Sequence, residues 1–558
     1  MSERGPGDDS APPIPVPPPA LAVTSSAEVP GAGAPVRGPA ALRMDMARGA
    51  RRVSGLTMLS RVLGLVREQI FALTLGAGGT SDAFLAAFRI PNLLRDLFAE
   101  GALSTAFVPT YVKTLRQEGR PAAYLLASRV LTTLTIYLGS VAALAMLWPG
   151  PVVRTVATGF SPEKAALTAE LVRIMMPFLP AISVAVVAMG ALNAEERYTA
   201  PALASSMFNV VAIIGGAIVW AVGASPHAGV IAWASFTLAG GLAQLLVQVP
   251  PLARLGFRPR FKPDLALRDP GTRRIATLMA PATLGVAAVQ INVVISTSFA
   301  SMGAEGSISW LGYAFRLMQL PIGVFGVAIG TTALTHLSRD AAAGDREALR
   351  ATLRRGLQMV LFLTVPSTVG LALLGRPIIR LIFEHGRFSP HATIETARAL
   401  SGYAVGLVAY SAIKVVAPAF YALGRTRVPL LASVSAVAAN LLWNVVTFRS
   451  FGHVGLAFGT SIAAIVNVAV LVIAFQLQVR HFVTAAFVGA VARIVLAAGA
   501  MAAAIWPLSH FLETAGPTGA GGRVLAVAAP VVVGIAIYFT AARALKLPEA
   551  TTLVRRLR

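Results

Sequence analysis

Apolar residues in this chain run on in stretches of about 20 or more, cut by short polar turns. A run of roughly 20 apolar residues is what a helix needs to cross a bilayer. Fourteen such spans are predicted, at 53–78, 80–111, 121–148, 165–192, 200–222, 227–250, 274–302, 306–335, 352–374, 392–422, 428–448, 454–477, 484–509 and 524–545. They break at turn signals such as WPGP (148–151), GASPHAG (223–229) and TAGPTGAGG (514–522). The expected fold class is an all-α polytopic membrane protein.

Composition agrees. The chain is 56% hydrophobic and 13% charged, against about 25% charged in a soluble domain. Its net charge of +23 does not point to nucleic acid, because the basic residues gather in short loops between apolar runs. The loop after the sixth span holds Arg254, Arg258, Arg260, Lys262, Arg268, Arg273 and Arg274, and the loop after the eighth holds Arg339, Arg346, Arg350, Arg354 and Arg355. Loops of opposite parity, 223–229 and 302–306, have no Lys or Arg. Both termini are therefore expected in the cytoplasm. The exception is 375–398, with Arg376, Arg380, Arg387 and Arg398. Its charges read as a solvated external face, where alanine at Arg387 or His391 is expected to be harmless. The stretch 336–355 reads as partly an amphipathic interfacial helix. Without cysteine the chain has no disulfide, thiolate metal site or cysteine nucleophile. Residues 1–46, rich in Pro, Ala, Gly and Ser, read as a disordered cytoplasmic tail without the features of a signal peptide.

The sequence repeats itself. AFR at 87–89 recurs at 314–316, an offset of 227, and Gly76-Ala77 and Ser104-Thr105-Ala106 match Gly303-Ala304 and Thr331-Thr332-Ala333 in the same register. PALAS (201–205) matches PLLAS (429–433) at 228. Six spans separate each pair, an even number, so the halves run parallel, with a pseudo-twofold axis along the membrane normal and a site between them. The expected domains are a six-helix lobe over 50–252, a basic cytoplasmic linker over 253–273, a second six-helix lobe over 274–480, two additional helices over 484–545 and a basic tail over 546–558.

A charge at the bilayer centre costs about 2.5–3.5 kcal/mol on insertion scales, so it faces protein or water and marks function by default. The first two spans nevertheless hold Arg61, Arg67, Glu68, Asp82, Arg89, Arg95, Asp96 and Glu100, and the eighth adds Arg316. At about 100° per residue Arg61 and Glu68 share one face, and Asp82, Arg89, Asp96 and Glu100 share another. A bend near Gly64 would bring Arg67 into the same cavity as Arg61, and Pro91 is expected to kink the second helix. The bland alternative pairs the charges off: Arg61 with Glu68, Arg89 with Asp96, Arg95 with Glu100. Against it stands the positive excess. Arginines around a watery cavity attract an anion, and the guanidinium fork fits phosphate. Asn440, Asn444 and Thr460 offer neutral oxygens to a small cation, with helix–helix hydrogen bonding as the commoner use. His336, His385 and His391 lack metal-ligand spacing. The chain carries no phosphate-binding G-x-x-x-x-G-K-[ST] motif and no catalytic constellation.

The segments SRVLGLVREQ and GAGGTSDAFLAAFRIPNLLRDLFAEGALSTAFVPTY (60–111), YAFRLMQLPIGVFGVAIGTTALTHLSR (313–339), IFEHGRFSPHAT (382–393) and KVVAPAFYALGRTRVP (414–429) resemble the MurJ (MviN) family of lipid II flippases, in the multidrug/oligosaccharidyl-lipid/polysaccharide exporter superfamily. The likeness covers roughly 50–480. It implies two six-helix lobes, a lipid-facing groove on the last two helices, and a cationic central cavity for the diphosphate-sugar head group of lipid II. By motif position the implied substrate residues are Arg61, Arg67, Asp82, Arg95, Glu100 and Arg316. Two departures stand out: Phe315 replaces an Asp common before the eighth-span arginine, and INVVISTSFAS has no Asp near Ser296, where some members have one associated with a sodium site. Asn440, Asn444 and Thr460 remain without that carboxylate. What the resemblance implies is a non-enzymatic, multi-pass protein of the bacterial inner membrane, acting in peptidoglycan synthesis and cell shape. It is expected as a monomer with no cofactor, with sodium or proton coupling left open. Its expected partners are lipid II, the bilayer and other cell-wall synthesis proteins. The rivals are a flippase for another polyprenyl-diphosphate glycan, a multidrug exporter of the same superfamily, and a scaffold recruiting envelope enzymes.

Overall fold

The computed structural model describes residues 39–479, 482–517 and 519–551, with side chains from Gly55 onward except for a few positions including Glu100. Within them the chain is helical, with no strand among the described residues. The tail expected over 1–46 lies outside the described residues up to 38, and from Pro39 the chain is already helical. Packing divides the chain into Met1–Arg51 and Arg52–Arg558, and the second unit carries the membrane helices.

The first lobe comprises α1 (Pro39–Leu75), α2 (Gly79–Arg95), α3 (Gly101–Gln117), α4 (Arg120–Leu147), α5 (Pro149–Val156), α6 (Pro162–Met175), α7 (Phe178–Ala194), α8 (Thr199–Ala221), α9 (Pro226–Leu246) and α10 (Val249–Arg254). The second comprises α11 (Pro270–Ser301), α12 (Ser307–Pro321), α13 (Val327–Ala342), α14 (Arg346–Leu373), α15 (Gly375–Phe383), α16 (Pro390–Ala422) and α17 (Arg427–Gln478). A pair follows, α18 (Ala485–Thr514) and α19 (Gly519–Ala544), packed on each other, with α18 also against α14. Ten described helices are long and apolar enough to cross a membrane. The 52-residue α17 breaks at Gly452, whose φ of 53° a helix cannot hold, and so makes two passes. With α1, α2–α3 and α11 the chain is consistent with the fourteen spans expected from hydropathy.

Helix starts follow local chemistry. Ser161-Pro162, Ser225-Pro226, Asp269-Pro270 and Ser389-Pro390 each place a capping oxygen before a proline whose missing N–H costs nothing at that position, and each caps a backbone N–H. The stretch 336–355 is not a separate interfacial helix. It is the end of α13 and the start of α14, turned at Gly344 and capped by Asp345, which accepts from the N–H groups of Glu347 and Ala348. α2 continues past Pro91 and widens into a π-turn at Asp96–Glu100; α12 ends at Pro321 and widens into one at Ile322–Gly326. The two π-turns stand 226 residues apart, one residue short of the 227-residue offset of the sequence repeat. Such turns recur where a helix is bent for function.

The cores reveal how the lobes meet. One apolar cluster crosses between them, joining Phe71, Phe84, Trp233 and Ala234 to Trp310, Tyr313, Phe383 and Leu407. Of two others, one gathers Leu103, Phe107, Tyr111 and Leu192 of the first lobe with Ile275 at the start of α11, and the other, around Leu337, Leu353, Val415, Phe420 and Phe475, stays within the second lobe. The lobes are thus fused around the shared core, and near the basic connection 253–273 they also meet through the start of α11.

Candidate functional site

Below the shared core, at the seam between α1, α2 and α12, lies a polar cavity of about 230 Å³. Arg89, Arg316, Glu68, Asn92 and Gln319 reach it, between Phe88 and Phe315. Arg89 and Arg316 are the arginines of the two AFR triplets, so the repeat sets one on each lobe facing the same space. Glu68 is buried and bridges two cations: its Oε1 accepts from Arg67 Nη2 at 2.5 Å and its Oε2 lies 3.0 Å from Arg316 Nε. Arg67 also lies 5.3 Å from the Phe208 ring centroid, a cation–π contact. The Nε of Arg89 and the Oδ1 of Asn92 are buried without a hydrogen-bond partner among the described residues. Buried polar atoms are nearly always satisfied, so these two are the polar groups here that still call for a partner.

The charges do not pair as their spacing on single helices suggests. Glu68 takes Arg67 and Arg316, not Arg61, because the opposing helix delivers a second guanidinium to the same carboxylate. Asp96 takes Arg95 at 2.9 Å and Gln290 Nε2 at 2.9 Å, not Arg89. α1 is continuous through Gly64, and Arg61 lies beside the π-turn that follows α12: a Cβ at Gly323 would stand 2.9 Å from its Nη1. The side chain of Glu100 lies outside the described residues. Of the six residues implied by resemblance, Arg67 and Arg316 meet at Glu68, while Arg95 is engaged with Asp96. Arg89 is the cavity residue absent from that set, and the AFR repeat was its signal.

Asp82 serves a different place. Only 2% exposed, it accepts from Ser309 N (2.9 Å) and Oγ (2.7 Å), from Gly306 N (2.8 Å) and from Lys164 Nζ (2.9 Å). It caps the N-terminus of α12, where backbone N–H groups and the helix dipole favour an anion. The reverse contact exists too: Glu305 Oε1 accepts from Gly79 N at 2.7 Å, at the start of α2. Ser309 is Asp82 plus 227 and Gly306 is Gly79 plus 227, so the contact maps onto itself as across a twofold axis. A second reciprocal pair flanks it. Gly159 N donates to Ser301 Oγ at 3.0 Å at the end of α11, and Arg387 N donates to Leu73 O at 3.0 Å at the end of α1. The fused end is therefore a ring of reciprocal caps around Asp82.

The sequence profile described as Lipid II flippase MurJ matches residues 71–521. The chain belongs to this family. The Lipid II flippase MurJ of Burkholderia cenocepacia is 37% identical over 432 residues, 76% of this chain and 82% of that protein. A solved structure titled Lipid II flippase MurJ, inward closed conformation, superposes with a TM-score of 0.74 at 27% identity, over 88% of this chain and 97% of that one. An inward-facing MATE-family multidrug transporter of the MOP superfamily shares the fold, with a TM-score of 0.63 at 16% identity, over 78% of this chain and 98% of that one.

In the 375–398 loop Arg387 is exposed, as expected, but it also has partners. Arg387 is not only solvated: its Nη1 donates to Thr74 O at 3.0 Å and its Nη2 to Ala224 O at 2.6 Å, spanning the ends of α1 and α8 in the other lobe. Charge-assisted bonds of this kind contribute about 1.5–3 kcal/mol when fully formed, and exposure discounts them. Arg387→Ala is therefore expected to lower flippase activity several-fold at normal abundance, measured as growth rescue of a flippase-depleted strain, while Arg387→Lys keeps part of it. Full rescue by the alanine variant would leave the loop a solvated face.

Asn440 and Asn444 are fully buried, and the Nδ2 of Asn444 donates to the Oδ1 of Asn440 at 2.7 Å. Thr460 turns its hydroxyl back to Leu456 O at 3.0 Å. Of these groups, Asn444 Oδ1 is the oxygen without a partner among the described residues. A cation there would meet neutral oxygens alone, which does not fit a carboxylate-held sodium site, and no step of transport is assigned to an ion.

Proposed function

We propose that this chain flips lipid II across the inner membrane, holding the diphosphate of its head group in the cavity between Arg89 and Arg316 and releasing it on the far side by alternating access. The observation that carries the reading is the pair of repeat-related arginines facing one polar cavity at the seam of two lobes. A guanidinium offers bidentate donors to phosphate oxygens. Glu68 acts as a resident anion: it holds Arg67 and Arg316 in place when the cavity is empty, and an arriving diphosphate takes over part of their hydrogen bonding. The end with the basic loops faces the cytoplasm, and the ring around Asp82 closes the outer side. Rocking of the lobes opens that ring and closes the cytoplasmic end, while the polyprenyl tail stays in lipid. No covalent chemistry is required. The membrane potential, worth about 2.3 kcal/mol per charge per 100 mV, can bias the direction.

Orientation is testable because the chain has no cysteine. Single cysteines within 253–273 and 336–351 are expected to react with a membrane-impermeant maleimide only after the membrane is opened, and cysteines within 375–391 in intact cells. Labelling of 253–273 in intact cells would reverse the assignment.

A flippase for another polyprenyl-diphosphate glycan would use the same phosphate grip. Binding of lipid II against unrelated lipid-linked sugars separates the two. An exporter of organic cations is disfavoured, since such a cavity would have to shed its cationic lining.

A further inference from the structure

Outside the central cavity, a second cluster of arginines stands around the turn joining α18 and α19. A polar cavity of about 170 Å³ there is walled by Arg376 and Arg380 of α15, Arg523 of α19, and Glu513. The turn packs tightly over it, since a Cβ at Gly522 would collide with the Pro517 carbonyl and one at Gly516 with that of Leu512. Three guanidinia share two carboxylates, and they share them loosely: Arg380 Nε lies 3.3 Å and Arg523 Nη2 3.5 Å from Glu384 Oε1, and Arg376 Nη1 lies 3.7 Å from Glu513 Oε2. The one close contact, Arg523 Nη1 to Glu384 O at 2.9 Å, fixes that side chain without using its remaining donors. The cluster has donors to spare for an anion.

A second observation says what kind of anion. An apolar groove of about 390 Å³ adjoins the arginine cavity along the same helices. On α15, Pro377 lines the cavity and Ile378 the groove; on α19, Ala526 lines the cavity and Pro530, one turn on, the groove. The other end of the groove reaches Pro321 and Phe325, which flank Gly323, where Arg61 lies. The groove thus leads away from the arginine cavity, and an amphiphile with an alkyl tail and a phosphate head matches the two together.

We propose that the Arg376–Arg380–Arg523 cavity is a second phosphate site, which receives the diphosphate of the polyprenyl lipid on the outer side while its tail lies in the adjoining groove. This rests on the lipid II reading and adds to it an exit station distinct from the central cavity. The bidentate forks and the excess of guanidinium over carboxylate supply the recognition, and the groove distinguishes a lipid from a free phosphate.

The test is binding of a polyprenyl diphosphate without sugars to the purified full chain in nanodiscs of neutral lipid, read as stoichiometry and affinity by native mass spectrometry. Wild type is expected to bind two equivalents. The R376Q/R380Q/R523Q variant is expected to lose one of them, with that site weakened at least tenfold, a tenfold loss being about 1.4 kcal/mol. R316A is expected to lose the other. R376K/R380K/R523K is expected to keep part of the second equivalent, which separates lost charge from lost fold. Unchanged stoichiometry in the triple glutamine variant overturns the proposal. Displacement of the second equivalent by phosphatidylglycerol as readily as by polyprenyl diphosphate, or by inorganic pyrophosphate alone, also overturns it, by assigning the site to bulk lipid or to a free anion. If R316A retains both equivalents while the triple variant loses one, the central reading fails and the arginine cavity stands.

Discussion

Alanine at Arg316 is expected to abolish rescue of a flippase-depleted strain while the protein accumulates normally. The expectation follows from how Glu68 is shared. Arg316 is about half exposed to the cavity, with side-chain exposure of 47%, and holds only one of the two oxygens of Glu68. Removing it leaves Arg67 on Glu68 at 2.5 Å, so the buried carboxylate keeps a partner and the fold survives. What disappears is a donor fork for the diphosphate. Losing charge-assisted hydrogen bonds of about 1.5–3 kcal/mol weakens the grip by roughly tenfold to a hundredfold. Arg316→Lys keeps charge without the fork and should fall between. Glu68→Gln frees both arginines and should bind the diphosphate more tightly yet turn over more slowly, since release then lacks the competing carboxylate. If Arg316 only neutralised Glu68, the Arg316→Ala/Glu68→Gln double variant would work, and growth rescue by that variant would contradict the account.

The second large effect is at Asp82. Asp82→Ala removes four hydrogen bonds and strands the Lys164 ammonium, which is mostly buried, with side-chain exposure of 18%. Breaking a buried pair in this way costs about 3–5 kcal/mol. The cost falls on the closed ring and not on the phosphate grip, because the carboxylate faces the start of α12 and not the cavity. A cysteine at Gly312, which lines the cavity, should then react with an impermeant maleimide from outside, whereas in the Asp82 parent it should not. Lipid II binding should persist while flipping is lost. Asp82→Asn retains an acceptor for the α12 N-terminus but no charge for Lys164, and should label at an intermediate rate. Labelling that stays at the parental level in the alanine variant would show that Asp82 does not hold the outer side shut.

Much of the fold could be read from the sequence, and for a physical reason. In a bilayer every backbone group must be bonded within its own segment, so a hydrophobic run of sufficient length leaves little choice but a helix. The repeat also made Arg89 and Arg316 legible as partners across a twofold axis, although only Arg316 was singled out. The pairing of charges was not legible. Helical periodicity relates residues on one helix, and the partners of Glu68 and Asp82 include Arg316, Gly306 and Ser309, more than two hundred positions away. The contacts of Arg387 were hidden for the same cause: an arginine in a loop looks solvated until another lobe's carbonyls are brought against it. The π-turns left no sequence mark beyond their nearby prolines. The offset of 227, applied to Asp82 itself, would have pointed at Ser309, because residues related by a repeat meet where they approach the axis.

The central claim is that this chain carries lipid II across the membrane by the arginines of its seam. The measurement that tests it most directly is exposure of lipid II on the outer face of cells depleted of their own flippase, read by an impermeant reagent that cleaves or tags the head group. Wild-type protein is predicted to restore exposure and Arg316→Ala, at equal abundance, to leave it at the depleted level. Failure of the wild type to restore exposure, or full exposure with the alanine variant, would contradict the account.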